Sequence, residues 1–231
     1  MDQAQRDILL SVTAATVHTV LLKHGIRRTW MRGCRPLCNA DRRIVGPAFT
    51  LRYVPAREDL ATPASWGSPI STRAAIEAMP DGCICVADAI GNTGAGIFGD
   101  ILVERLVQRG VCGLVTDGAM RDGAGVRDTG LPVWASGLAA PASITELTFV
   151  AWQEPVGCGG VAVFPHDVIV ADDDGAVVIP ASMVATVCEI APQQEHYEAW
   201  AHEQVKKGAA LPGLYPPSEE TLKRYKQETG G

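Results

Sequence analysis

The stretch Cys83-Ile84-Cys85-Val86-Ala87, followed by a glycine-rich passage from Gly91 to Gly99, then Asp100-Ile101-Leu102-Val103-Glu104-Arg105-Leu106-Val107-Gln108-Arg109 and Val111-Cys112-Gly113-Leu114-Val115-Thr116, decides the fold. The first and last runs are short and apolar, bounded by Pro80-Asp81-Gly82 and Gly110, as buried strands are; the middle run has helical periodicity and is stopped by Gly110. Strand, helix and strand at this length form a βαβ unit with parallel strands and a right-handed crossover. Both strands then end on one side, and so do the loops Asp88 to Gly99 and Asp117 to Gly123. Ligands of open parallel sheets bind outside those carboxyl ends.

Working outward, the apolar residues Ile8, Leu9, Val12, Val17, Val20 and Leu21 predict one packing helix over about 4–24, closed by Gly25. Residues 26–43 read as irregular. Ile44 to Val54 is β-rich, with Pro47 suiting an edge or a bulge. Pro55 to Ser71 reads as a loop and Thr72 to Met79 as a helix. Downstream, strands are predicted at Leu131 to Ala135, Thr148 to Trp152 and Val161 to Phe164. A hairpin follows, Val168 to Ala171 and Ala176 to Ile179, around Asp172-Asp173-Asp174-Gly175. Pro180 opens a helix to about Lys207, and a charged helix is expected near Glu219 to Lys226. No repeat or linker divides the chain, so residues 1–231 read as one α/β domain.

Composition limits the function classes. With 231 residues, 47% hydrophobic and 20% charged, the chain can bury about 70% of its unfolded surface without staples. Lys and Arg number 20 against 26 for Asp and Glu, a net charge of −6, and no basic run tracks a phosphate backbone, so nucleic acid is not an expected partner. Seven cysteines, several inside apolar runs, fit reduced thiols in a cytoplasmic protein. The start Met-Asp-Gln-Ala-Gln-Arg-Asp is not that of a signal peptide, and no apolar stretch approaches a membrane span.

Twenty residues separate Asp100 from Arg121-Asp122. Asp100 starts the crossover helix and the pair follows the next strand, so all three can face one cleft. The first-turn amides of Asp100, Ile101 and Leu102 favour an anion there. Arg121 can fork onto a carboxylate or ketone oxygen, and Asp122 is a hard ligand suited to Mg²⁺ or Mn²⁺. The plainer alternative makes Asp100 a helix-terminal residue and Arg121-Asp122 a surface ion pair.

Asp100-x20-Arg121-Asp122 within Gly113 to Asp122, together with Gly46-Pro47-Ala48-Phe49-Thr50 and Gly160 to Pro180, resembles the RraA-like family over about residues 45–180. That family includes class II pyruvate aldolases acting on 4-hydroxy-4-methyl-2-oxoglutarate and 4-carboxy-4-hydroxy-2-oxoadipate. The resemblance implies an αββα sandwich of the swivelling β/β/α type around a small barrel, and trimers or hexamers with sites at subunit interfaces. It also implies a divalent ion, Mg²⁺ or Mn²⁺, held by Asp122, with a metal water on Asp100. Arg121 would bind the 2-oxo acid and stabilise the enolate, and the backbone of Asp100, Ile101 and Leu102 would take the pyruvyl carboxylate. Some aldolases of this type carry an acid three residues after the Arg-Asp pair; Gly125 stands there, leaving Asp128 as a candidate replacement.

The expected activity is therefore metal-dependent C–C cleavage of a 2-oxo di- or tricarboxylic acid through pyruvate enolate, with oxaloacetate decarboxylation sharing that enolate. The competing reading is a non-catalytic regulator, since the family takes its name from a ribonuclease inhibitor; a third is a lyase or hydratase of aromatic or sugar-acid breakdown with a different substrate. Gly94-Ala95-Gly96-Ile97-Phe98-Gly99 also matches a dinucleotide fingerprint, with Asp117 ending the next strand. Asp100 sets a negative charge where pyrophosphate would lie. Cys34 and Cys38 have half a zinc spacing but no second pair. His18, His166, His196 and His202 form no ligand pattern, Ser143 and Thr145 no triad, and Trp134 and Trp152 read as core or interface.

Overall fold

The computed structural model describes residues 1–230. In chain order, helices α1 (Gln3–Ser11) and α2 (Ala14–Lys23) precede strands β1 (Arg35–Cys38) and β2 (Ile44–Pro55). Helix α3 (Thr72–Ala78), strand β3 (Ile84–Asp88), helix α4 (Asp100–Gln108) and strand β4 (Gly113–Thr116) follow. Then come β5 (Ala119–Met120), α5 (Gly123–Asp128), β6 (Val133–Ala135), β7 (Gly137–Leu138) and β8 (Leu147–Trp152). The hairpin β9 (Val168–Asp172) and β10 (Gly175–Ile179) leads to the long α6 (Val184–Lys206) and to α7 (Glu219–Thr229).

The βαβ unit forms as its sequence requires: β3 and β4 run parallel, in register from Ile84 opposite Gly113 to Ala87 opposite Thr116. The sheet runs β1-β6-β4-β3-β2-β9-β10, with β8 added on β2. Its middle, β6-β4-β3-β2, is parallel, and β1, β8, β9 and β10 pair antiparallel. The sheet curls into a half barrel, so that the indole of Trp134 on β6 donates to the carbonyl of Asp172 at the end of β9, 2.8 Å away.

Alternation along the strands divides the core into layers. Ile84, Val86, Val115, Trp134, Ile169, Ala171, Ala176 and Val178 fill the inside of the curl. Cys83, Cys85, Ala87 and Leu114 face outward against Ile76, Val103, Leu106 and Val126 of α3, α4 and α5. On the other side, Val168, Val170, Val177 and Ile179 meet α1, α2 and α6. This is the expected αββα order. The cysteines are hydrophobes here: burial pushes the Cys83 thiol up to about 12 and raises that of Cys85, so neither is a thiolate at neutral pH.

Four readings of the sequence are corrected. The helix expected over 4–24 is two, because Val12 is extended (φ −112°, ψ 145°) and Thr13 caps a new helix by accepting the Thr16 amide. That break is held from afar: the amide and hydroxyl of Thr13 donate to Glu195 on α6, and the Ala14 amide donates to Asp172. The irregular 26–43 contains edge strand β1, whose bulge after Pro36 accommodates the missing amide. Pro47 is not on an edge; it lies where the central β2 exchanges β9 for β3 as partner. Val161 to Phe164 is no strand, holding only a single bridge between Val163 and Val156.

Candidate functional site

The glycine-rich passage before α4 is stitched along the chain that follows β4. The Ile97 amide donates to Ala119, the Arg121 amide to Phe98, and the Gly96 amide to Pro141, each at 2.9 Å. This pairing sets the start of α4 beside the Arg121-Asp122 turn. Asp122, left-handed at φ 53° and ψ 43°, reverses the chain into α5. Asp100, Ile101, Leu102, Arg121 and Asp122 consequently line one cleft of about 300 Å³, together with Trp66, Thr72, Arg73 and Ser143.

Two glycines of this passage make room for the backbone and stem of Arg121 and for the Asp122 carboxylate. A Cβ on Gly96 would stand 2.6 Å from Cβ of Arg121, and one on Gly99 would stand 2.5 Å from an Asp122 carboxylate oxygen. The spacing that resembles a nucleotide fingerprint therefore serves the approach of Arg121 and Asp122. Gly125 has the same explanation: a Cβ there would fall 2.6 Å from Oδ2 of Asp100, so the acid found at this position in some aldolases has no space here.

Arg121 Nε donates to Asp122 Oδ2 at 3.0 Å, with the side chains 38% and 44% exposed. A pair so exposed contributes at most about 1 kcal/mol, so an incoming ligand can reorganise it at little cost. Asp100 Oδ1 accepts the Ile101 amide at 2.7 Å. One of the three amides expected to hold a substrate carboxylate is thus already engaged by the acid beside it. Gly99, the residue before α4, provides no side-chain cap, which leaves the amides of Asp100 and Leu102 facing the N-terminal opening.

The donors in this cleft are two carboxylates, and no group of three acids, histidines or cysteines arranged for a metal occurs among the described residues. Such a set does not make a closed cage. It does fit a hard cation that keeps most of its water, as Mg²⁺ and Mn²⁺ do.

Arg73 was not legible as a site residue. Its guanidinium lies over the Trp66 ring at 4.9 Å, adding a second cation to the cleft. No local motif marks either residue; α3 and the preceding loop bring them in.

The nucleotide reading fails at Asp117. That carboxylate is 6% exposed and accepts the amides of Ala89, Gly91 and Gly159 at 2.8, 3.0 and 3.1 Å. Burial pushes it above its ordinary value of 3.8, against the opposing pull of the Gly159, Ala89 and Gly91 amides. Neighbouring Asp88 accepts from Ile90 and Gly157, both at 2.9 Å. These acids clamp loops together and leave no carboxylate for a ribose. Cys34 and Cys38 sit in different cores, inside and outside the curl, and cannot share an ion. Trp134 is fully buried and Trp152 partly so.

A curled mixed α/β sheet with a charged cleft beside the end of its βαβ unit defines the structural class. Residues 14–178 match the RraA-like family, described as Aldolase/RraA, and the chain belongs to that family. A Halalkalibacterium halodurans protein whose name assigns it provisionally to 4-hydroxy-4-methyl-2-oxoglutarate aldolase is 32% identical over 70% of this chain and 70% of its own length. Protein DlpA of Legionella pneumophila is 31% identical over 60% of this chain, and that match spans only 22% of DlpA. Among solved structures, Streptomyces coelicolor RraAS2, described as an unusual member of the RNase ES inhibitor RraA protein family, superposes with a TM-score of 0.78 at 36% identity, covering 87% of this chain and 97% of that one. No helix is long and apolar enough to cross a membrane among the described residues.

Proposed function

We propose that the chain is a divalent-metal-dependent lyase that cleaves a C–C bond of a 2-oxo di- or tricarboxylic acid through pyruvate enolate. The observation carrying this reading is the convergence of Asp100, Arg121 and Asp122 on one cleft at the start of α4. Asp122 and, through water, Asp100 would hold Mg²⁺ or Mn²⁺, which supplies Lewis acidity at the 2-oxo group. The free amides of Asp100 and Leu102, at the positive end of α4, take the substrate carboxylate. Arg121 turns its fork from Asp122 to the ketone oxygen, where negative charge grows as the C3–C4 electrons move into the enolate. A water held by Asp100 accepts the proton of the 4-hydroxyl and returns one to C3. Arg73 offers a second cation for the distal carboxylate, which favours diacids over monoacids.

The test is pyruvate release from oxaloacetate and from 4-hydroxy-2-oxo diacids with Mg²⁺ or Mn²⁺, repeated after EDTA. Turnover that EDTA abolishes supports the reading. Turnover indifferent to EDTA, or a substrate trapped on lysine by borohydride, replaces it with a Schiff-base mechanism. The likeness to RraAS2 supports one alternative, a regulator that binds a ribonuclease; ribonuclease inhibition without any pyruvate release would establish it.

A further inference from the structure

A second cleft, of about 430 Å³, opens between α2, the segment 27–32 and the β9–β10 hairpin, and shares no lining residue with the first. Its construction follows from strand pairing. The Met31 amide donates to Ala176 at 2.9 Å and the Val178 amide to Thr29 at 2.8 Å, so this segment runs antiparallel to β10. Thr29 and Met31 point inward, 2% and 0% exposed, and alternation sends Arg28, Trp30 and Arg32 outward. Trp30 is 42% exposed, yet fixed, because its indole N–H donates to the Asp174 carbonyl at 2.9 Å. Arg27 also lines the cleft, as does His18, whose Nδ1 pairs with the Thr29 hydroxyl at 2.7 Å.

None of Arg27, Arg28 and Arg32 forms an ion pair among the described residues, although acids outnumber bases in the whole chain. Three arginines thus line one cleft with a single acid, Asp174, on its wall, and Arg32 also borders an adjacent hollow that holds Asp88 and Asp117. Like charges this close repel one another, and an anion bound among them relieves that repulsion. One carboxylate saturates one fork, whereas a phosphate chain can take several. A held, half-exposed indole beside such charges is a stacking surface for a planar ring. The cleft is a single concavity on a net acidic chain, which favours a small ligand over a polynucleotide.

We propose that this cleft binds a nucleoside diphosphate or a closely similar phosphate ester of a planar ring, with the ring on Trp30 and the phosphates on Arg27, Arg28 and Arg32. This site is independent of the lyase reading, and Asp122 plays no part in it.

The test is titration calorimetry of the full chain with ADP, inorganic pyrophosphate, benzoate and a short single-stranded RNA at low salt. ADP is expected to bind one site per chain with Kd at or below about 1 mM and to quench tryptophan fluorescence. Arg28→Ala and Arg32→Ala should each weaken it about tenfold or more, with unchanged melting temperature as the folding control. Trp30→Ala should remove the advantage of ADP over pyrophosphate; should that variant fail to fold, fluorescence quenching in the native chain reads the same contact. Asp122→Asn should leave ADP affinity intact. Absence of saturable ADP binding, indifference to Arg28→Ala and Arg32→Ala, or binding of benzoate or RNA without ADP overturns the proposal.

Discussion

Asp100, at the partly buried start of α4, and Arg121 and Asp122, in the turn before α5, lie outside the hydrophobic cores, so their removal should act on chemistry more than on folding. Arg121→Lys keeps the charge and loses the planar fork; kcat/KM for pyruvate release is expected to fall by about 10²-fold or more. Asp122→Asn should abolish metal-dependent turnover while preserving the fold, because asparagine adopts the left-handed conformation of this position readily. Asp100→Asn keeps its shape over Gly125 and should lose activity alone. Melting curves beside steady-state kinetics check all three; unfolding with full activity in the folded fraction would return these residues to a structural role. Gly125→Ala has another signature: its Cβ would collide with Asp100, displacing that carboxylate, costing about 1–3 kcal/mol and lowering kcat together with Tm.

Among elements, the ends of β3 and β4 are tied to the 157–160 turn by Asp88 and Asp117. Asp117→Asn puts an NH₂ group where one of two accepting oxygens faces backbone amides, and chemical denaturation should show a loss of about 1–3 kcal/mol. The pH dependence follows from the raised folded pKa of Asp117. A carboxyl raised on folding contributes stability that is full below its unfolded value, near 3.8, and fades as pH climbs through the folded value. The stability difference between native chain and variant should therefore shrink as pH rises through that window, and a difference that grew would contradict it. The βαβ unit, the hairpin and α6 were legible because their periodicity and punctuation are local. The break at Val12-Thr13 was not, since Glu195 and Asp172, which hold it, are remote in sequence.

For the whole molecule, the apolar residues left on the surface are informative. Ile101 is 81% exposed on the rim of the first cleft, and Ile70, Leu138 and Leu60 are 57%, 52% and 49% exposed. Light scattering at micromolar concentration is expected to give about 73 kDa, three chains of 24.5 kDa, or twice that. Ile101→Glu should lower the mass, and a clean monomer for the native chain would refute the assembly.

By itself the sequence determined the parallel βαβ unit and the meeting of Asp100 with Arg121-Asp122, because both follow from period, glycine punctuation and the rule that parallel strands end on one side. It also determined the packing role of the buried cysteines, through their place in apolar runs. Only the tertiary structure decided what depends on distant chain. Arg73 entered the first cleft through α3, Gly125 proved to be the space that Asp100 fills, and Asp117 became a clamp on the Gly159 turn. The outward row of Arg28, Trp30 and Arg32 arose from pairing with a strand about 150 residues later. Strand partners and close approaches are set by burial across the whole sheet, and no local pattern of residues encodes them.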